Sequence, residues 1–236
     1  MQTLVLALLL LAAPAAWAEG CPAPAWAPGA DRADAELRLG FLADTFDREV
    51  RHIHIWSWSW GSTYAAATAA QLTAIPFVAD GTRTDLAVGA VSAGIGSLSL
   101  FLLPLRITRP LTRVRARWAE PDRCALLADA ELALFETAAI QKLSSGWIPH
   151  AGNVVVNAGL ALVLGWGYGR WTSALISAAV GLVVGEANVL TQPHGLAQAM
   201  ARYRRLELGG DPPKLSWEIA PMVGVGMAGV QLELQL

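Results

Sequence analysis

The side chains able to do chemistry in this 236-residue chain gather at one end of a single apolar stretch: His150, Asn153, Glu186, Asn188, Gln192 and His194. Two apolar runs, 153–168 and 172–189, fold back on each other about Gly169-Arg170-Trp171. With a helical rise of about 1.5 Å per residue, antiparallel pairing brings Asn153 level with about residue 187. Glu186 and Asn188 then face Asn153, with His150 and His194 just above. An ionisable Glu inside an apolar helix is costly and points by default to function.

A set of His, Glu and Asn side chains can hold a zinc ion and a water. His150, Glu186 and His194 are therefore the catalytic candidates, and His52, His54, His150 and His194 the metal-ligand candidates. Against a zinc enzyme, no His-Glu-x-x-His occurs in the sequence. His52 and His54 point to opposite sides if the backbone is extended. The simpler expectation is that Asn153, Asn157, Glu186 and Asn188 hydrogen-bond helix to helix and fix the register of the hairpin. On that reading the chain needs no cofactor, and zinc belongs to the alternative.

The elements that position these groups are apolar helices with small or polar residues every fourth position. Asn153, Asn157, Ala161, Gly165 and Gly169 mark one, and Ser173, Ser177, Gly181 and Gly185 the other. Positions four apart share a helix face, and in lipid such faces let backbones approach closely. A second hairpin is expected over 57–105, turning at 80–85, with Gly89 and Ala93, and Ser92 and Gly96, at the same spacing. Pro104 and Pro110 end it.

Two amphipathic helices flank the hairpins. Over 35–51, Leu37, Phe41, Leu42, Thr45, Phe46 and Val50 keep a 3.6-residue period; over 122–143, Leu126, Leu127, Ala130, Leu134, Ala138 and Leu143 do so, with Asp129, Glu131 and Glu136 outside. The alternating run His52 to Trp60 reads as the wet end of the helix that follows. Arg106, Arg109, Arg113, Arg115 and Arg117 form a basic run, either a solvated face or a contact with anionic headgroups. The tail over 212–236 alternates around a Gly-rich connection, as a β-hairpin does. The fold expected is thus mainly α: a four-helix apolar, transmembrane core in two hairpins, two flanking amphipathic helices and a C-terminal β-hairpin.

Composition agrees with a membrane setting. Charged residues are 15%, against roughly 25% in ordinary soluble domains. Several of the ten tryptophans sit at the ends of apolar segments, as in an interfacial belt. A net charge of -2 gives no reason to expect nucleic acid; the partners expected are the lipid bilayer and other copies of the chain. Residues 1–18 resemble a secretory signal, with Ala16-Trp17-Ala18 before Glu19, although no Lys or Arg precedes the apolar run. Residues 19–35 read as a flexible arm, 36–211 as the helical membrane domain. Cys21 and Cys124 permit one disulfide, and spacing does not show that they pair. Glu19, just before Cys21, argues against lipidation.

The long polar segments, 19–55, 106–150 and 191–236, all fall on one side of the helices. They carry every Lys and Arg of the 17 except Arg83 and Arg170. The positive-inside rule puts that side in the cytoplasm, whereas a cleaved signal puts it outside. Export to the cell envelope, with the outer envelope ahead of the inner membrane, is the expectation carried forward.

Two motif matches fail. Arg109-Pro110, Ser144-Ser145-Gly146 and His150 do not reproduce the membrane phosphatidic-acid phosphatase pattern, because the Pro-Ser-Gly-His order is absent. Gly165 to Gly169 is not a phosphate loop, since no strand precedes it and no Lys-Ser/Thr follows. The expectation is an exported envelope membrane protein, structural or self-assembling and without catalysis. The alternative is an intramembrane hydrolase or metal-binding protein.

Overall fold

A computed structural model describes residues 20–102 and 104–209 in full, and all the regular structure among them is helical. The signal expected over 1–18 lies outside the described residues. The C-terminal β-hairpin expected over 212–236 lies outside these residues and is not supported.

The first helix, α1 (Ala35–Ala74), runs unbroken for 40 residues, about 60 Å at the α-helical rise. Asp34 starts it by accepting from the backbone N–H groups of Glu36 and Leu37 at 2.9 and 3.3 Å. The sequence reading set an amphipathic helix over 35–51 apart from the apolar hairpin beyond it; here they are one rod. The alternating His52–Trp60 run lies inside it, flanked by helix on both sides with no proline to break it. α1 turns through a short 3-10 segment (Ile75–Phe77) into α2 (Asp80–Leu102). α3 (Leu105–Ala116) follows, with Pro104 as its N-cap. α4 (Arg123–Ser144) follows, N-capped by Asp122, which accepts from Ala125 N at 2.9 Å. α5 (Trp147–Leu162) continues through a π-helical turn (Val163–Gly167) to Gly169, whose φ of +68° makes the reversal. α6 (Trp171–Leu190) and α7 (Gly195–Arg204) complete the described chain.

Burial divides the molecule in two. One core cluster joins the N-terminal half of α1 with α3, α4 and α7: Leu39, Leu42, Phe46, Leu111, Leu126, Leu134, Leu196 and Tyr203 are all within it. This part packs as a soluble helical domain does, and forms a cap. Residues 20–34, read as a flexible arm, pack on it: Cys21, Ala27 and Ala30 are buried, and Cys21 is disulfide-bonded to Cys124. Along α4, Leu126, Leu127, Ala130, Leu134 and Ala138 face inward, but Leu143 is 62% exposed. Glu131, placed on the outer face by the sequence reading, is 2% exposed; it is in phase with Leu127, Leu134 and Ala138 and is buried with them.

The hairpins show the opposite pattern. Large apolar side chains of α2, α5 and α6 point outward, as with Ile95, Val155 at 69% exposure, Leu175 and Val183 at 71%. Three helical stretches are long and apolar enough to cross a membrane: Asp80–Ala116, Trp147–Gly167 and Trp171–Arg204. The sequence reading expected four apolar helices. The C-terminal half of α1 falls short because Ser57, Ser59, Ser62, Thr63, Thr68 and Thr73 dilute it. Several of those hydroxyls donate to carbonyls of the preceding turn: Ser62 and Thr63 to Ser59 O, Thr68 to Tyr64 O and Thr73 to Ala69 O, at 2.8–3.1 Å.

Candidate functional site

The polar end of the α5–α6 hairpin is a connected hydrogen-bond network. His150 Nδ1 lies 2.5 Å from Glu186 Oε2, and Asn153 Nδ2 donates to Glu186 Oε1 at 2.9 Å and to Leu182 O at 3.0 Å. One turn on, Asn157 Nδ2 donates to Asn153 O and Oδ1 at 2.9 and 2.7 Å. The glycines of α6 make room for these side chains. A Cβ at Gly181 would collide with the Asn157 amide, and one at Gly185 with the Asn153 amide. The four-residue spacing on α6 thus serves the contact with α5, which tells its chemistry apart from a bare small-residue stripe.

The other singled-out residues stay apart from this network. Asn188 lies on the same helix as Glu186, but its buried Nδ2 has no hydrogen-bond partner among the described residues. His194 is exposed at the N-cap of α7 and makes no side-chain capping bond. His52 and His54 are exposed on α1, with His52 Nδ1 3.8 Å from Glu49 Oε1. Two residues apart on a helix, they face different directions. Among the described residues no group of three or more His, Cys, Asp and Glu side chains is placed to hold a metal ion. The arrangement can therefore polarise His150 through Glu186, but both oxygens of that carboxylate already join helix to helix.

The two hairpins meet across a cleft of about 500 Å3, lined by Tyr64, Ser92 and Ser99 on one side and Asn153, Asn157 and Asn188 on the other. Its two ends are clipped. At the far end Arg170 forms a two-pronged pair with Asp85, Nε to Oδ1 at 2.7 Å and Nη2 to Oδ2 at 2.5 Å. At the cap end, Trp56 and Trp60 donate their indole N–H groups to Thr191 Oγ1 at 3.3 and 3.0 Å.

Sequence reasoning missed the polar groups buried in the cap. Arg38 is 0% exposed; it donates to Cys21 O at 2.8 Å, Pro22 O at 3.2 Å and Tyr203 OH at 2.9 Å, and pairs with Glu131, which also accepts from Tyr203. One guanidinium thereby ties the N-terminal arm to α1, α4 and α7. Glu49, also buried, sits against Gly195 at the start of α7 and hydrogen-bonds its backbone. Gln141 Oε1 accepts from Ala197 N at 2.9 Å on the same helix end. These acceptors satisfy orphan N–H groups and complement the helix dipole. The available signal was phase: Arg38, Leu42, Thr45, Phe46, Glu49 and Ile53 form one helical stripe.

Set against known proteins, the chain matches no family model, no curated protein and no solved structure.

Proposed function

We propose that the chain is an exported membrane protein of the cell envelope, a structural or self-assembling component without catalysis, in which the hairpins anchor a helical cap at the membrane surface. The observation that carries this reading is the split in burial. A close-packed core fills the cap, while the apolar side chains of α2, α5 and α6 face outward, which only a bilayer or other apolar protein surface accommodates. The C-terminal half of α1 fits as a fourth span, because hydroxyls bonded to the preceding turn expose little unsatisfied polarity to lipid.

Export rests on the Cys21–Cys124 disulfide. Such a bond belongs to an oxidising compartment, which favours the signal over the arginine asymmetry in deciding where the cap lies. Self-assembly draws its support from α5, where Gly159 looks onto open space on the same face as the exposed Val155 and Leu162. Most other helix-packing glycines of the hairpins are already covered, Gly89 by Gln71, Gly96 by Tyr64, Gly181 by Asn157. The alternative, a hydrolase or metal-binding protein, has the His150–Glu186 pair in its favour; the full occupation of Glu186 by helix-to-helix bonds favours the structural role.

Fractionation of the chain expressed in a Gram-negative host tests the proposal. The expected product begins at Glu19, stays in the envelope after alkaline carbonate washing, and shows no free thiol until reduced. A carbonate-soluble chain would remove the membrane anchor, and an intact Met1 with free thiols would place the cap in the cytoplasm.

A further inference from the structure

The basic run over α3 is two populations. Arg115 pairs with Asp47 at 2.6–2.8 Å, and Arg117 with Asp129 and Glu120 at 2.5 and 3.5 Å. Arg106, Arg109 and Arg113 are exposed, with no ion pair to any acidic side chain among the described residues. At about 100° per residue these three fall within an arc of about 60°. That arc lies opposite Ile107, Leu111 and Val114, which bury α3 against the cap. α3 leaves the apolar α2 directly after Pro104, so its unpaired arginines stand where a bilayer's headgroups begin.

Arg106 also borders a cavity of about 160 Å3 whose walls include Ile53, Trp56, Leu100 and Ile140. This cavity and the cleft between the hairpins share Trp56, Leu100, Ser144 and Gln192 as lining residues, so the two adjoin along that wall. An exposed cation without an acidic partner among the described residues, beside walls that include Ile95, Leu100, Val156 and Val184, describes one ligand chemistry: a phosphate anion carrying an acyl chain.

We propose that the cavity at Arg106 and the adjoining cleft between the hairpins together bind an anionic glycerophospholipid, its phosphate at Arg106 and one acyl chain between the hairpins. Arg109 and Arg113 extend the positive face along the headgroup layer. The inference rests on the membrane reading above, whose own test, carbonate extraction, does not depend on which lipid is bound.

Native mass spectrometry of the full chain in a non-ionic detergent tests it, with phosphatidylglycerol and phosphatidylcholine added at equal concentration. The expected result is retention of a single phosphatidylglycerol in preference to phosphatidylcholine. Arg106→Gln lowers that retention about fivefold, the worth of one near-surface charge on an anionic lipid. Arg106→Lys keeps most of it, and Arg83→Gln, at the far end of the hairpins, leaves it unchanged. Equal retention of the two lipids, or an unaltered Arg106→Gln, overturns the proposal. So does competition by inorganic phosphate alone at matching concentration, which would make the site one for free anions.

Discussion

Glu49 shows at the scale of one residue what the cap demands of its buried polar groups. Burial holds its carboxyl above the ordinary value of 4.5, against the lowering pull of His52, Arg48 and the Gly195 N–H. Its second oxygen, Oε2, has no hydrogen-bond partner. Between 4.5 and the raised folded value, the native state binds more proton than the unfolded state, so stability falls as pH rises through that window. Above it the cost of the buried charge is present in full. The expected outcome is that Glu49→Gln melts higher than the parent at pH 8, and that the difference between the two vanishes as pH approaches 4.5. Parallel melting curves across this range would assign the slope to other groups. Nothing in the type of residue distinguishes Glu49 from exposed Asp44 or Asp47. Its place in the Arg38–Ile53 stripe does, and there the amphipathic pattern was legible while the identity of the buried charges was not, because solvated and buried charges share one alphabet. Arg38 and Glu131 escaped for the same reason, each needing a partner more than ninety residues away in the chain.

At the scale of the element, the α5–α6 hairpin is held by polar bonds between its helices more than by apolar packing, since most of its apolar surface faces outward. In lipid such bonds average about 0.6 kcal/mol and reach about 1.7 kcal/mol, because the separated helices also find partners. Glu186→Gln keeps an oxygen for Asn153 and replaces the carboxylate facing His150. The expected loss on unfolding in bicelles is therefore about 1 kcal/mol, with zinc content unchanged. A loss of stoichiometric zinc in this variant would revive the metal-site alternative. The paired runs, the reversal at Gly169-Arg170-Trp171 and the four-residue spacing of Gly181 and Gly185 are all readable in the sequence, since the 3.6-residue period and a left-handed glycine are local properties. The continuity of α1 through His52–Trp60 was harder to read. Alternation over nine residues fits a strand as well as a helix, and only the neighbours against which it packs decide between them. The partition of the basic run was also hidden, because the sequence does not show that Asp47 reaches Arg115 or that no acidic side chain among the described residues pairs with Arg106.

The whole molecule divides by burial into two parts, and the disulfide belongs to only one of them. Cys21 and Cys124 are separated by 103 residues, and the loop they close contains α1, α2 and α3. Closing so long a loop restricts the unfolded chain strongly; removing a native disulfide from a small domain costs about 2–5 kcal/mol. That stabilisation falls on the cap, where the arm is otherwise held by Arg38, by Trp26 packed against Phe135 and Tyr203, and by buried alanines. The hairpins have instead the Asp85–Arg170 pair and the Asn153 network, and, on the function proposed, the bilayer. Reduction of the bond, or Cys21→Ser with Cys124→Ser, is expected to lower the cap's melting temperature. It is also expected to expose the Cys21–Ala33 arm to protease while the chain remains resistant to carbonate. If the reduced chain instead left the membrane, cap and anchor would be one cooperative unit, and the division drawn from burial would not describe how the protein unfolds. If reduction changed neither melting nor proteolysis, Arg38 and its partners would suffice to hold the arm. The bond's importance would then lie in the compartment it requires rather than in the stability it adds.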